Sequence, residues 1–122
     1  MEVGIKGLTT SVVEKHMTAA AMGSGTLEVL STPYMIAIME GTCQGSVKEY
    51  LEEGQATVGT KVCVSHLAAV GLGKEVTCES EIVEIDRRKL VFNVKVMHED
   101  KLIGEGTRER FIIDTTKFMS KA

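Results

Sequence analysis

The sequence predicts an α+β domain in which a five-stranded antiparallel sheet wraps around one long central helix. Three observations carry that prediction. Only residues 33–53 keep a helical apolar period at length, and they open on the chain's single proline and end at Gly54. A stretch rich in β-branched residues precedes them. After Gly54 the apolar period changes from about 3.6 to 2 and stays there.

Taken in order, residues 8–18 read as a first strand, with His16 on or near its end. Residues 19–25 (Ala-Ala-Ala-Met-Gly-Ser-Gly) form a small-residue connection, and residues 26–30 a short turn or helical piece. Pro33 fits the first helical turn, where its missing N–H has no partner to lose, so Thr32 reads as the N-cap. Met35, Ile36, Ile38, Met39, Val47 and Leu51 supply a broad apolar surface. Ala37, Gly41 and Gly45 recur at i, i+4 and i+8. A mid-helix glycine costs about 1 kcal/mol against alanine, so this strip is expected to pack closely on the sheet.

Residues 56–69, 73–86, 89–98 and 101–114 then read as strands. Val76, Cys78, Ser80 and Ile82 alternate with Glu75, Thr77, Glu79 and Glu81; Leu90, Phe92, Val94 and Val96 alternate with Val91, Asn93 and Lys95. The breaks Asp86-Arg87-Arg88-Lys89 and Glu99-Asp100-Lys101 are of hairpin length, whereas parallel strands need crossovers of about a dozen residues. One sheet burying one helix leaves its outer face and edges uncovered, so association through the sheet is the expected remedy. These features describe the hot-dog architecture, here as a single domain over residues 1–122.

Composition excludes several functions. A net charge of −3 with acids and bases interspersed gives no footprint for nucleic acid or an anionic membrane. No apolar run approaches the roughly 20 residues that span a bilayer, and the first residues lack a signal peptide's basic and apolar blocks, so a cytoplasmic protein is expected. Cys43, Cys63 and Cys78 lie far apart without CxxC spacing, and His16, His66 and His98 are isolated. The thiols are therefore read as reduced, with no metal site.

Five residues stand out chemically. Glu40 sits among Ile36, Ala37, Met39 and Cys43. Burying an unpaired carboxylate costs several kcal/mol, and a buried carboxylate has the raised pKa that suits a general base; a partly solvated helix residue is the alternative. His66 follows Thr60, Val62 and Val64 on one strand face, either as a structural histidine or as the group that orients water or protonates a leaving group. Thr32 is either a cap or a contact to the acyl group or a water, since eight helical residues span about 12 Å and keep it from bonding Glu40. Arg108 and Arg110 share a strand face beside Gly104 and Gly106, suited to phosphate recognition or to a solvated, salt-bridged sheet surface.

Thr32-Pro-Tyr-Met-Ile-Ala-Ile-Met-Glu40, Gly59-Thr-Lys-Val-Cys-Val-Ser-His66 and Gly104-Glu-Gly-Thr-Arg-Glu-Arg-Phe111 together resemble the hot-dog thioesterases of the fluoroacetyl-CoA thioesterase type. The resemblance covers residues 8–118 and implies a homodimer, or a higher homo-oligomer, that hydrolyses acyl-CoA thioesters without metal or other cofactor, coenzyme A being part of the substrate. It implies a site of threonine, glutamate and histidine, matched by Thr32, Glu40 and His66, with Gly59 as a pocket glycine and Arg110 as a basic residue. Residues 19–30 hold no aromatic residue, whereas that family carries an aromatic lid there. A short or medium acyl-CoA is thus the expected substrate. A non-catalytic acyl-CoA or small-ligand binding module on the same fold is the competing reading, and hydratase chemistry has no separate signature.

Overall fold

The computed structural model describes residues 1–122. Strands β1 (Lys6–Val12), β2 (Gln55–His66), β3 (Glu75–Asp86), β4 (Lys89–His98) and β5 (Lys101–Asp114) form one sheet in the order β1-β3-β4-β5-β2, every pair antiparallel. The long helix α2 (Thr32–Val47) lies across one face of this sheet, between the short helix α1 (Ala19–Met22) and a 3₁₀ turn at Lys48–Tyr50. This is the expected α+β hot-dog architecture.

The alternation in β3 and β4 points the way it reads in the sequence. Val76, Cys78, Ser80 and Ile82 are buried, as are Leu90, Phe92, Val94 and Val96. They close on Met35, Met39, Cys43 and Val47 of α2. Burying a side chain the size of Phe92 or Met39 contributes about 1.5–3 kcal/mol, so this contact layer fixes the helix to the sheet.

Several boundaries differ from expectation. The first strand ends at Val12, and His16 belongs to a 3₁₀ turn, Lys15–Met17. The connection at 19–25 contains α1, capped by the Thr18 hydroxyl accepting from Ala21 N and closed by Gly23 in the left-handed region at φ 74°. The long helix stops at Val47 and not near residue 53; β2 ends at His66, and β3 starts at Glu75. A C-terminal helix α3 (Thr115–Lys121), capped by Asp114, follows β5.

The helix cap is Ser31, whose Oγ accepts from Tyr34 N; Thr32 and Pro33 are the first two helical residues. Both residue types make good caps, and Pro33 is tolerated one place deeper because its N–H is still outside the intrahelical ladder. The small-residue strip is also corrected. Ala37, Gly41 and Gly45 are solvent-exposed, and a Cβ built on either glycine meets nothing within 4 Å. The larger Met35, Met39 and Cys43 take the sheet-facing side of the helix, which turns the small residues outward.

Candidate active site

Strand β2 is an edge of the sheet, paired only with β5. A register shift between Gly59 and Lys61 makes Thr60 a bulge residue. Its hydroxyl donates to Glu109 Oε2 at 2.7 Å, so Thr60 leaves the face that carries Val62, Val64 and His66. A single chain holds two separate groups of candidate residues along this edge.

The first group is at the start of α2. Released from capping, Thr32 presents Oγ1 to His66 Nδ1 at 2.7 Å. The other ring nitrogen of His66, Nε2, is buried without a partner. Burial pushes the imidazole below its ordinary value of 6.5, partly opposed by the Ala68 backbone, so the ring is neutral at pH 7. A neutral imidazole pinned through one nitrogen, with the other unspent, can take a proton or make a hydrogen bond at that atom.

The second group lies two helical turns further on. Glu40 is not an unpaired buried carboxylate: its side chain is 41% exposed, and Oε1 bonds Arg108 Nη2. Arg110 Nη1 stands 3.7 Å from the same oxygen. Both arginines point towards the helix side of the sheet and are buried, to 3% and 7% exposure. Arg108 Nη1 donates to Lys61 O at 3.0 Å; Arg110 donates through Nε to Thr57 Oγ1 at 2.9 Å and through Nη2 to Thr57 O at 2.8 Å. Burial pushes the Arg110 guanidinium below the ordinary arginine value; the Glu40 carboxylate opposes that shift and the like charge of Arg108 adds to it.

The reading of these arginines as a solvated, salt-bridged sheet surface does not fit this geometry. Both are buried on the helix side, where they donate to Lys61 O, Thr57 and Glu40. Gly59 belongs to this second group. A Cβ there would lie 2.5 Å from Arg108 Nη2 and 2.6 Å from Glu40 Oε1, so only glycine lets the ion pair close beneath the strand.

The two groups do not meet within one chain. Gly59 and His66 are seven residues apart on β2, roughly 20 Å at a strand's rise. A concavity of about 990 Å³ on the other face of the sheet is lined by none of Thr32, Glu40, Gly59, His66, Arg108 or Arg110. No group of three or more His, Cys, Asp or Glu side chains is arranged to hold a metal. All three cysteines are free; Cys43, near the arginine pair, has its thiol pushed up to about 12 by burial and is no nucleophile at neutral pH. The roles of Lys61 O and Thr57 as arginine anchors were not legible in the sequence, because backbone acceptors leave no residue-type signal. The edge-to-face packing of His16 on Tyr34, at 5.5 Å, has no such signal either.

A family model described as fluoroacetyl-CoA-specific thioesterase matches residues 13–116. The chain belongs to that family. The fluoroacetyl-CoA thioesterase of Streptantibioticus cattleyicolor is 37% identical over 94 residues, 77% of this chain and 68% of that protein. A solved structure of the fluoroacetyl-CoA thioesterase superposes with a TM-score of 0.94 at 33% identity, covering 99% of this chain and 94% of the other. A threonine-to-serine variant solved with acetyl-CoA gives 0.95 at 32% identity, covering 99% and 96%. Membership in the fluoroacetyl-CoA-specific thioesterase family makes the chain a thioester hydrolase, as the three sequence segments implied. No helix in it is long and apolar enough to cross a membrane.

Proposed function

We propose that the protein hydrolyses short or medium acyl-CoA thioesters to the free acid and CoA, at a site that two copies of the chain build together. The observation that carries this reading is the His66 imidazole: neutral, held at Nδ1 by Thr32, with a buried and unpartnered Nε2. A buried polar atom left without a partner costs about 1–3 kcal/mol, and a bound thioester or water removes that cost. Support for an acyl-CoA substrate comes from the fluoroacetyl-CoA thioesterase relatives and from the relative solved with acetyl-CoA. The absence of any aromatic residue in 19–30 favours an ordinary acyl chain over fluoroacetyl.

Association follows from the free edge of β2, a twelve-residue strand with unpaired N–H and C=O groups, since such edges are normally covered or paired. Pairing β2 with itself about a twofold axis near Val62 and Cys63 sets His66 of one copy beside Gly59 of the other. Glu40 of that second copy then faces the Thr32–His66 pair, which supports a site of one carboxylate and one imidazole from different chains.

In such a site Oε1 of Glu40 is held by Arg108 and Oε2 is the reacting atom. In one route Oε2 takes a proton from water while the water oxygen attacks the thioester carbonyl carbon. In the other, Oε2 attacks that carbon directly and forms a mixed anhydride that water opens. In both, the C–S bond breaks and CoA leaves as its thiolate, which neutral His66 steadies by a hydrogen bond at Nε2 and which takes its proton from solvent. Hydrolysis of an acetyl- to octanoyl-CoA panel by the protein and by its Glu40→Gln variant tests the reading. The variant is expected to lose turnover while keeping its oligomeric state and CoA affinity; unchanged turnover contradicts it. A single turnover in ¹⁸O-labelled water separates the routes, because label enters Glu40 only through the anhydride.

A further inference from the structure

Arg108 is nearly buried, yet its guanidinium is only partly used by the fold. Nη1 is anchored on Lys61 O, Nε has no partner, and Nη2 is spent on Glu40 Oε1. Arg110, two residues on, is held by Thr57 through two donors and comes no nearer Glu40 than 3.7 Å. The two arginines therefore differ in task. Arg110 is tied to the sheet, and Arg108 bridges the sheet and the carboxylate.

The local backbone is shaped for that bridge. The bulge at Thr60 interrupts the β2–β5 register beside Lys61, whose carbonyl accepts from Arg108. Gly59 leaves open the space in which Arg108 Nη2 and Glu40 Oε1 meet, which one methyl group would fill. An arginine buried to this degree needs partners for its donors, and here the chain supplies one backbone oxygen and one carboxylate oxygen. Neither guanidinium bonds Glu40 Oε2.

We infer that Arg108 is a positioning residue: it clamps Oε1 of Glu40 to the β2 bulge so that Oε2 alone is presented to the thioester. The inference rests on the reading of Glu40 as the catalytic carboxylate. A carboxylate free to rotate about its last torsion spends part of its time with neither oxygen aimed at the carbonyl carbon, and misplacement by about 1 Å costs on the order of 10²-fold in rate. The clamp acts on chemistry more than on binding, so its loss appears in kcat and not in KM.

The test compares Arg108→Gln, Arg108→Lys and Glu40→Gln in steady-state hydrolysis of the acyl-CoA turned over fastest by the wild-type protein, with a melting curve for each. The expected result is a kcat for Arg108→Gln lower on the order of 10²-fold with KM changed less than about twofold, and recovery of most of that loss in Arg108→Lys, which keeps the charge. Equal losses in the two variants assign Arg108 to packing and overturn the inference, as does an Arg108→Gln kcat within about twofold of wild type. If Arg108→Gln fails to fold, Gly59→Ala carries the test. Its Cβ separates the pair at an exposed position; a lowered kcat supports the clamp, and a wild-type kcat overturns it. Wild-type turnover in Glu40→Gln removes the catalytic reading of Glu40 itself, whereas a dead Glu40→Gln beside an unaffected Arg108→Gln removes only the clamp.

Discussion

The hydroxyl of Thr32 lies 2.7 Å from Nδ1 of His66, while the neighbouring Ser31 caps the helix. Two adjacent hydroxyl residues thus divide two tasks, and each task is separately measurable. Ser31→Ala is expected to lower stability by about 1 kcal/mol, through loss of the cap. Thr32→Val, at an exposed position, leaves stability nearly unchanged and lowers kcat tenfold or more, the order expected when a hydrogen-bond partner worth about 1–3 kcal/mol is removed. Chemical denaturation and steady-state kinetics on both variants check this. The opposite pattern, with stability lost in Thr32→Val, would return the cap to Thr32.

The pH dependence follows from His66. Its pKa in the folded chain lies below 6.5 because burial disfavours the charged ring. The unfolded chain therefore binds more protons between that lowered value and 6.5. Stability contributed by this group is complete above pH 6.5 and is lost as the pH falls through the window. We expect melting temperature to decline on acidification through that window, and His66→Asn to flatten the decline. Activity limited by neutral His66 should fall on the acid side only below pH 6.5.

Gly104 faces His66 across the β2–β5 register. A Cβ there would stand 2.5 Å from Met35 Sδ and 2.8 Å from Ser65 O. The sulfur can move but the backbone oxygen cannot, so Gly104→Ala is expected to destabilise by about 1–3 kcal/mol. Thermal or urea unfolding measures this; an unchanged midpoint would mean that β2 yields to the methyl group.

How much of this was legible in the sequence depends on which signal each element carries. Strands β3 and β4 announced themselves, because apolar and charged residues alternate along them and one face is wholly buried. The arginines of β5 did not. Arg108, Glu109 and Arg110 are all charged, so alternation cannot say which face is inside, and the bulge that leaves Ile103 unpaired between Leu102 and Gly104 shifts the phase from the apolar end of the strand. The cap was ambiguous because Ser31 and Thr32 are both good caps and Pro33 is tolerated in the first helical turn. Glu40 reads in the sequence as an acid among apolar neighbours, but it is part-exposed and paired, and its partners come from 68 and 70 residues away, a relationship that only the sheet order creates.

The central claim is that one hydrolytic site combines Glu40 of one copy with Thr32 and His66 of another. Mixing subunits tests it most directly. Glu40→Gln and His66→Asn are each expected to be inactive as pure proteins. After unfolding and refolding together, half of the dimers formed at random carry one of each, and in every such dimer one site receives both intact residues. The account predicts that acyl-CoA hydrolysis returns to about a quarter of the wild-type rate per chain. A mixture that remains as inactive as its components would contradict it.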